Sequence, residues 1–438
     1  MKLLTRVIIL FLIVFNFRIP IFYNSVVIAV LLTTLYYFIV RGSIPFSYFK
    51  LKYNAIIIIA TLIMALIGIA ITVFHGETSY LAVKRFFVQL SMILAVIYAI
   101  PALHEDESTS FPNAIKLICY VFAIQGLIHI CGLLFPSIGN FLFDIKTEGF
   151  KATVLDPNRG IDKFRAYALT GSIFFELPAA YGVACVMFFR ILLMKGQNYI
   201  TGWKGFAFIV LCFSGIVLSG RTGFIGFFVG IGLYIILLEN KVFLFLKNSW
   251  KYALGLVIVF GVYTFGTSLE QRENIEEEVL PFAFEAYYSY IETGEFTTTS
   301  TEALQEKHYF RLDDETYLKG HGAHSRDTMR YPSTDSGYLN SLIFGGVFYL
   351  LSLTVYQLLF FIMPMSCASK GGSKDDKIDF FFFLTLLLYI FVLHYKETAL
   401  GSLHIVETMY VYLGTTYLLT QYSKNDNVRK QLMLLKTE

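Results

Sequence analysis

The sequence predicts an all-α fold, a polytopic membrane helix bundle of about twelve transmembrane helices with a large outer loop between spans 9 and 10. Three observations predict it. Of the 438 residues, 56% are hydrophobic and only 15% are charged, whereas soluble domains carry about 25% charged residues. Mean hydropathy is +0.62. Apolar runs recur at a length close to the roughly 20 residues that a helix needs to cross the hydrocarbon. The 44 Phe and 29 Tyr suit lipid-facing and interfacial surfaces. A net charge of +3 is too small to imply nucleic acid as a partner.

The first element follows Lys2 and Arg6, which precede an apolar run as in a signal peptide. No small-residue cleavage site follows, so a retained short span over 3–17 is expected. Further spans are expected over 20–40, 54–74, 86–103, 113–135, 172–194, 204–219, 222–238, 251–268, 336–363, 378–395 and 399–420. Only SGRTG (219–223) divides 204–219 from 222–238. The chain has no Pro- or Ser-rich linker and no clear internal repeat. It therefore reads as one transmembrane domain, 1–438, and inverted-repeat transporter folds are weakened.

Lys and Arg in short loops orient the bundle. With the N-terminus inside, the inner side collects Arg41, Lys50 and Lys52, then Lys195 and Lys204, then Lys241, Lys247 and Lys251, then Lys370, Lys374 and Lys377, and the tail cations. Both termini are then inside. The loop 136–171 falls outside despite Lys146, Lys151, Arg159, Lys163 and Arg165. Anion binding would explain that exception, and so would tolerated surface charge. Cys119, Cys131, Cys185, Cys212 and Cys367 form no CxxC pair, and neither a disulfide framework nor a metal site is expected.

The large outer loop, 269–335, divides by charge. Its first half is acidic, from Glu270 to Glu306. Leu269, Ile275, Val279 and Phe282 there have loosely helical spacing, fitting an amphipathic helix on the membrane or a helix packed on the rest of the loop. The second half gathers Lys307, Arg311, Lys319, Arg326 and Arg330 with His308, His321 and His324. Arg326 and Arg330, at i and i+4, would share a helix face and can clamp a diphosphate. Asp335, where the chain re-enters the membrane, can accept a proton from a sugar hydroxyl or cap the next helix. His321 and His324 are rival bases. Their spacing suits a metal, but no third ligand is evident.

Arg221 lies between two apolar runs with glycines on both sides. A charge at membrane depth is costly and is usually functional. Its guanidinium matches phosphate oxygens, the glycines would let backbone approach a ligand, and the helix starting near Thr222 would aim its positive end the same way. An arginine reaching to lipid headgroups is the alternative. Arg159, Lys163 and Arg165 can bind substrate, with Glu176 expected to pair with one of these cations. His404 and Glu407, at i and i+3, are expected to form a buried pair. No P-loop, GxGxxG or Ser-His-Asp arrangement occurs, so energy would arrive with the substrate.

The span layout, SGRTG at the start of a span, and an outer-loop arginine followed by DSGYLNSLIFGG resemble the bacterial O-antigen and exopolysaccharide repeat-unit polymerases of the Wzy type. These share their architecture with O-antigen ligases. The likeness covers most of the chain in layout but only about 219–230 and 321–347 in motif. In the family's pattern an outer-loop Arg is followed, after ten intervening residues, by Gly. Arg326 to Gly337 fits, whereas Arg159 to Gly171 has eleven. Asp335-Ser336 stands where the ligases carry His-Asn or His-Ser, which argues against a ligase.

The resemblance implies a GT-C-like, metal-independent glycosyltransferase without cofactor, in the bacterial inner membrane. It implies a donor glycan on undecaprenyl pyrophosphate, an acceptor hydroxyl on another lipid-linked repeat unit, and a chain-length regulator as a partner. In that reading Arg221, Arg326 and Arg330 neutralise the departing pyrophosphate, with Arg159 and Arg165 as further binding cations. Asp335 or His324 assists the attacking hydroxyl. Tyr287, Tyr288, Tyr290, Tyr309, Tyr317, Tyr331 and Tyr338 are available to stack on sugars.

Overall fold

The structure is a computed structural model and describes residues 2–19, 22, 24–77, 81–104, 110–146, 167–171, 175–193, 203–237, 257, 272–273, 276–277, 280–295, 297–324 and 331–423. Among these residues it is helical, without strands. The helices are α1 (Leu3–Phe15), α2 (Ser25–Tyr36, extended by a π turn to Arg41), α3 (Lys52–Phe74), α4 (Leu81–Leu103), α5 (Phe111–Leu134), α6 (Pro136–Asp144), α7 (Glu176–Leu192), α8 (Trp203–Ser219) and α9 (Thr222–Leu237). Then follow α10 (Leu280–Ala283), α11 (Glu285–Thr293), α12 (Thr299–Glu306), α13 (Asp314–Lys319), α14 (Gly337–Lys370), α15 (Lys374–Lys396) and α16 (His404–Ser423). Helix occupies most of each expected span except 251–268, of which residue 257 alone is described. Helices long and apolar enough to cross a membrane occur at Lys52–Phe74, Val83–Leu103, Phe111–Leu134, Gly337–Lys370 and Lys374–Lys396. Shorter apolar helices lie at Leu3–Phe15, Ser25–Arg41, Lys204–Ser219 and Thr222–Leu237. The chain is a multi-pass helical membrane protein.

Two helices form the centre. In α7 every residue from Glu176 to Ile191 is buried, and in α16 every residue from Ile405 to Leu418. A helix that is buried all round needs neighbours on every side. Helix α16 has them in α3, α4, α5, α7 and α14, and α7 in α5, α8, α9, α15 and α16. The other faces expose Leu35, Phe38, Ile63, Leu66, Phe74, Phe228, Ile236, Leu351 and Leu388, as lipid-facing surfaces do.

Glycine explains the closest contact, between α7 and α9. A Cβ on Gly226 would lie 2.4 Å from the Gly182 Cα, and one on Gly223 would lie 2.8 Å from the Pro178 carbonyl oxygen. Small residues let two helix backbones approach where lipid offers no hydrophobic drive. The glycines after Arg221, expected to open backbone to a ligand, are spent on this packing. A second buried contact is polar: Arg190 on α7 donates through Nε and Nη2 to Asp379 Oδ1 on α15, at 2.8 and 2.5 Å.

The expected continuous span at 336–363 is broken. Within α14, Gly345 (φ −144°) and Gly346 (φ 65°) leave the helical region. A Cβ on Gly346 would sit 2.2 Å from the Leu318 carbonyl oxygen. The freed carbonyls of Ile343 and Phe344 accept the backbone N–H groups of His321 and Gly322, at 2.7 and 2.8 Å. Irregular backbone at this depth is tolerated where protein satisfies it, and here the incoming loop does so. One end of the bundle, the loop end, thus gathers the described residues of 280–336, the starts of α4, α7, α9, α14 and α16, and the last turns of α3 and α15.

Candidate functional site

Arg221 occupies the turn between α8 and α9. Gly220 has φ 151° and its N–H bonds to the Ile216 carbonyl at 2.8 Å, which closes α8. The Arg221 guanidinium forms an ion pair with Glu285, the first residue of α11. Its central carbon lies 4.6 Å from the Phe282 ring centroid, a cation–π distance. The second oxygen of Glu285 accepts the Thr299 N–H at 2.8 Å. Phe284 meets Phe224 at 6.5 Å, and Leu280 packs on Leu218. The segment 280–285 of the acidic half is therefore docked on the arginine turn. The Arg221 and Glu285 side chains remain 16% and 23% exposed, so water and ligand can reach the pair. One glutamate among a run of glutamates carries no mark in the sequence that singles it out as this partner. Phe282, read as one position of an amphipathic helix, lies under the guanidinium.

The basic half is held by a separate set of contacts. Asp335 donates its backbone N–H to His308 Nδ1 at 3.1 Å, and its carboxylate lies 3.6 Å from His308 Nε2. With Nδ1 accepting, the proton of a neutral imidazole sits on Nε2, the nitrogen nearer the carboxylate. Thr334 Oγ1 donates to the His308 carbonyl at 2.6 Å. The N-cap of α14 is Ser336, which accepts from Leu339 N–H, not Asp335. The Asp335 side chain is 43% exposed.

His321 bonds through Nε2 to Thr316 Oγ1 at 2.7 Å. Thr316 also meets Tyr331 and Asp313, and Tyr331 donates a short bond to Asp313. His75, at the end of α3, bonds to the Lys319 carbonyl at 3.2 Å. His321 thus belongs to a network that anchors the loop. His324 stacks on Phe344 at 5.3 Å with 21° between the planes. Tyr338, a candidate sugar contact, donates to the Phe391 carbonyl at 3.2 Å and meets the edge of His394 at 4.6 Å. It ties α14 to α15. Tyr309 likewise stacks on Tyr395 at 4.9 Å. By contrast, Tyr287, Tyr288 and Tyr290 on α11 are exposed.

Arg159, Arg165, Arg326 and Arg330 lie outside the described residues. Of the loop 136–171, Lys146 is described and is buried. Its ammonium bonds to the carbonyls of Ala168 and Thr170 at 2.5 and 2.8 Å. Burial pulls its pKa down to about 7. This cation of the exceptional loop is committed to holding the chain together.

The expected His404–Glu407 pair does not form. His404 Nδ1 bonds to Gln89 Oε1 at 2.8 Å. Glu407 accepts from the Gly401 N–H at 2.9 Å and the Tyr356 hydroxyl at 3.5 Å. The i, i+3 spacing gave way because the 397–403 turn and α14 present their donors first. Glu176 Oε1 accepts the Ile405 N–H at 2.6 Å and so caps α16. His394 Nδ1 accepts from Ala399 and Leu400 at 3.0 and 3.2 Å. Among the described residues no three His, Cys, Asp or Glu side chains are grouped to hold a metal ion.

No family model matches this chain, and no curated protein or solved structure matches it. The fold defines its class, a multi-pass helical membrane protein, and the chemistry of the loop end must carry any reading of function.

Proposed function

We propose that the chain is a glycosyltransferase that joins oligosaccharide repeat units carried on undecaprenyl pyrophosphate, at the outer face of the bacterial inner membrane, in O-antigen or exopolysaccharide biosynthesis. The observation that carries the reading is a reachable arginine in a membrane-boundary turn, covered by a carboxylate that occupies the place a phosphate would take. A guanidinium binds either anion with the same fork. In this reading Arg221, with Arg326 and Arg330, stabilises the charge that develops on the departing lipid pyrophosphate. The attacking sugar hydroxyl loses its proton to Asp335. Asp335 is favoured over His324 because its carboxylate is partly exposed and lies beside His308, whereas the ring face of His324 is covered by Phe344. The anomeric carbon gains the new C–O bond as its bond to the pyrophosphate oxygen breaks. The exposed tyrosines of α11 suit a glycan passing over the site. The orientation with both termini cytoplasmic and the chain-length regulator belong to the same reading.

A lipid-linked oligosaccharide transporter is the second reading, favoured by the buried Arg190–Asp379 pair, since intramembrane charges mark transport paths. The pair lies near the helix ends opposite the loop, and its donors and acceptor face each other. The deciding experiment incubates the purified protein with lipid-linked repeat units. A ladder of products supports the polymerase. A single transfer to a lipid A core supports a ligase. Translocation without product from folded protein supports the transporter.

A further inference from the structure

A second set of donors faces inward at the loop end. Arg85 and Gln89 stand one turn apart on α4 and share a face. Gln89 is 0% exposed. Its Oε1 is taken by His404 Nδ1, while its Nε2 is a buried amide nitrogen without a hydrogen-bond partner among the described residues. A buried donor left unmet is costly, and its presence asks for an acceptor. Arg85 lies within electrostatic range of His404 and of Tyr349, and it forms no ion pair among the described residues. Two carboxylates close to His404 in the fold, Glu176 and Glu407, are engaged by the backbone N–H groups of Ile405 and Gly401. The unmet groups are thus a guanidinium and an amide N–H, a set that selects an anion. Lys84 and Arg85 are also cations at the end read as outer, a second exception to the positive-inside rule.

We infer that Arg85 and Gln89, the latter held in place by His404, form a site for the pyrophosphate of a second polyprenyl lipid, the acceptor, while Arg221 serves the donor. The inference rests on the polymerase reading. A reaction between two lipid-linked units needs two pyrophosphates held at once, one leaving and one retained.

The test titrates undecaprenyl pyrophosphate into the full-length protein in phosphatidylcholine nanodiscs. Two bound molecules per protein are expected. Arg85→Gln should weaken one of them about 10- to 100-fold, the range for a lost charge-assisted hydrogen bond, and leave the Arg221-dependent molecule bound. That retained binding also shows that the variant is folded. Gln89→Glu, equal in shape and opposite in preference, should act on the same molecule as Arg85→Gln. One bound molecule, sensitive to Arg221→Gln alone, overturns the inference and leaves the polymerase reading standing. Binding that neither arginine affects overturns both. Displacement of the Arg85-dependent molecule by phosphatidylglycerol at equal mole fraction overturns the inference in favour of an ordinary anionic headgroup. Displacement by inorganic pyrophosphate alone, as tightly as by the lipid, overturns it in favour of a free anion.

Discussion

Glu285 governs what Arg221 can do in the resting protein. A substrate phosphate has to displace a carboxylate that already satisfies the guanidinium. Glu285→Gln should therefore raise affinity for polyprenyl pyrophosphate. A partly exposed pair is worth about 0.2–1 kcal/mol, so the gain should be about 1.5- to 5-fold. Arg221→Ala should instead lower the polymerisation rate on the order of 10²–10³-fold, as when one charge-stabilising group is removed. Unchanged turnover in Arg221→Ala would exclude this arginine from the chemistry. Lys146 makes a different prediction. Its folded pKa is about 7 against an ordinary 10.5. Between these values the unfolded chain binds the extra proton, so stability rises with pH across that window. Thermal unfolding at pH 7 and pH 9 should show the rise in the native protein and a flatter response in Lys146→Met. Equal slopes would refute the assignment.

At the scale of elements, hydropathy made the helices legible, because burial in lipid demands long apolar runs and little else. Breaks inside such runs are not legible in that way. Gly345-Gly346 reads as two more apolar positions, and only the approach of Leu318 shows why Gly346 has to be left-handed. Gly346→Ala should cost roughly 1–2 kcal/mol from the backbone alone and also displace 318–319. A lowered thermal midpoint with new proteolysis near 318–324 is the expected result; an unchanged midpoint would show that α14 need not break there. The glycines after Arg221 were visible in the sequence, but their partner Gly182 lies on another helix, so a packing role looked like a ligand role. The candidate site was legible where charge stood out against lipid, as at Arg221, and where a loop met a span, as at Asp335. Its partners Glu285 and His308 were not, because side-chain pairing across a loop depends on how the loop folds. Arg85 carried a readable signal, a cation at the start of a span.

At the scale of the molecule, α7 and α16 are the parts that cannot be exchanged piecemeal, since each is surrounded by helices. The Arg190–Asp379 pair pins α7 to α15. Removing one partner strands the other in the interior, so Asp379→Asn should cost roughly 3–5 kcal/mol, whereas a double replacement by apolar residues of similar volume should be near neutral. Comparing the thermal stabilities of the single and double variants separates this from a transport role, in which the double variant would be stable but inactive.

The two backbone bonds from His321 and Gly322 into α14 bear on how such proteins diversify. A loop whose amide groups finish a helix has no boundary at the residues where it leaves the membrane. Exchange between two members of this architecture at Asp335 would unite one parent's loop with the other's half-helix and leave carbonyls open. A graft that keeps the site intact has to run from the docked acidic segment through Gly346. The unit that recombination can move is therefore the loop together with the first turns of the span it enters.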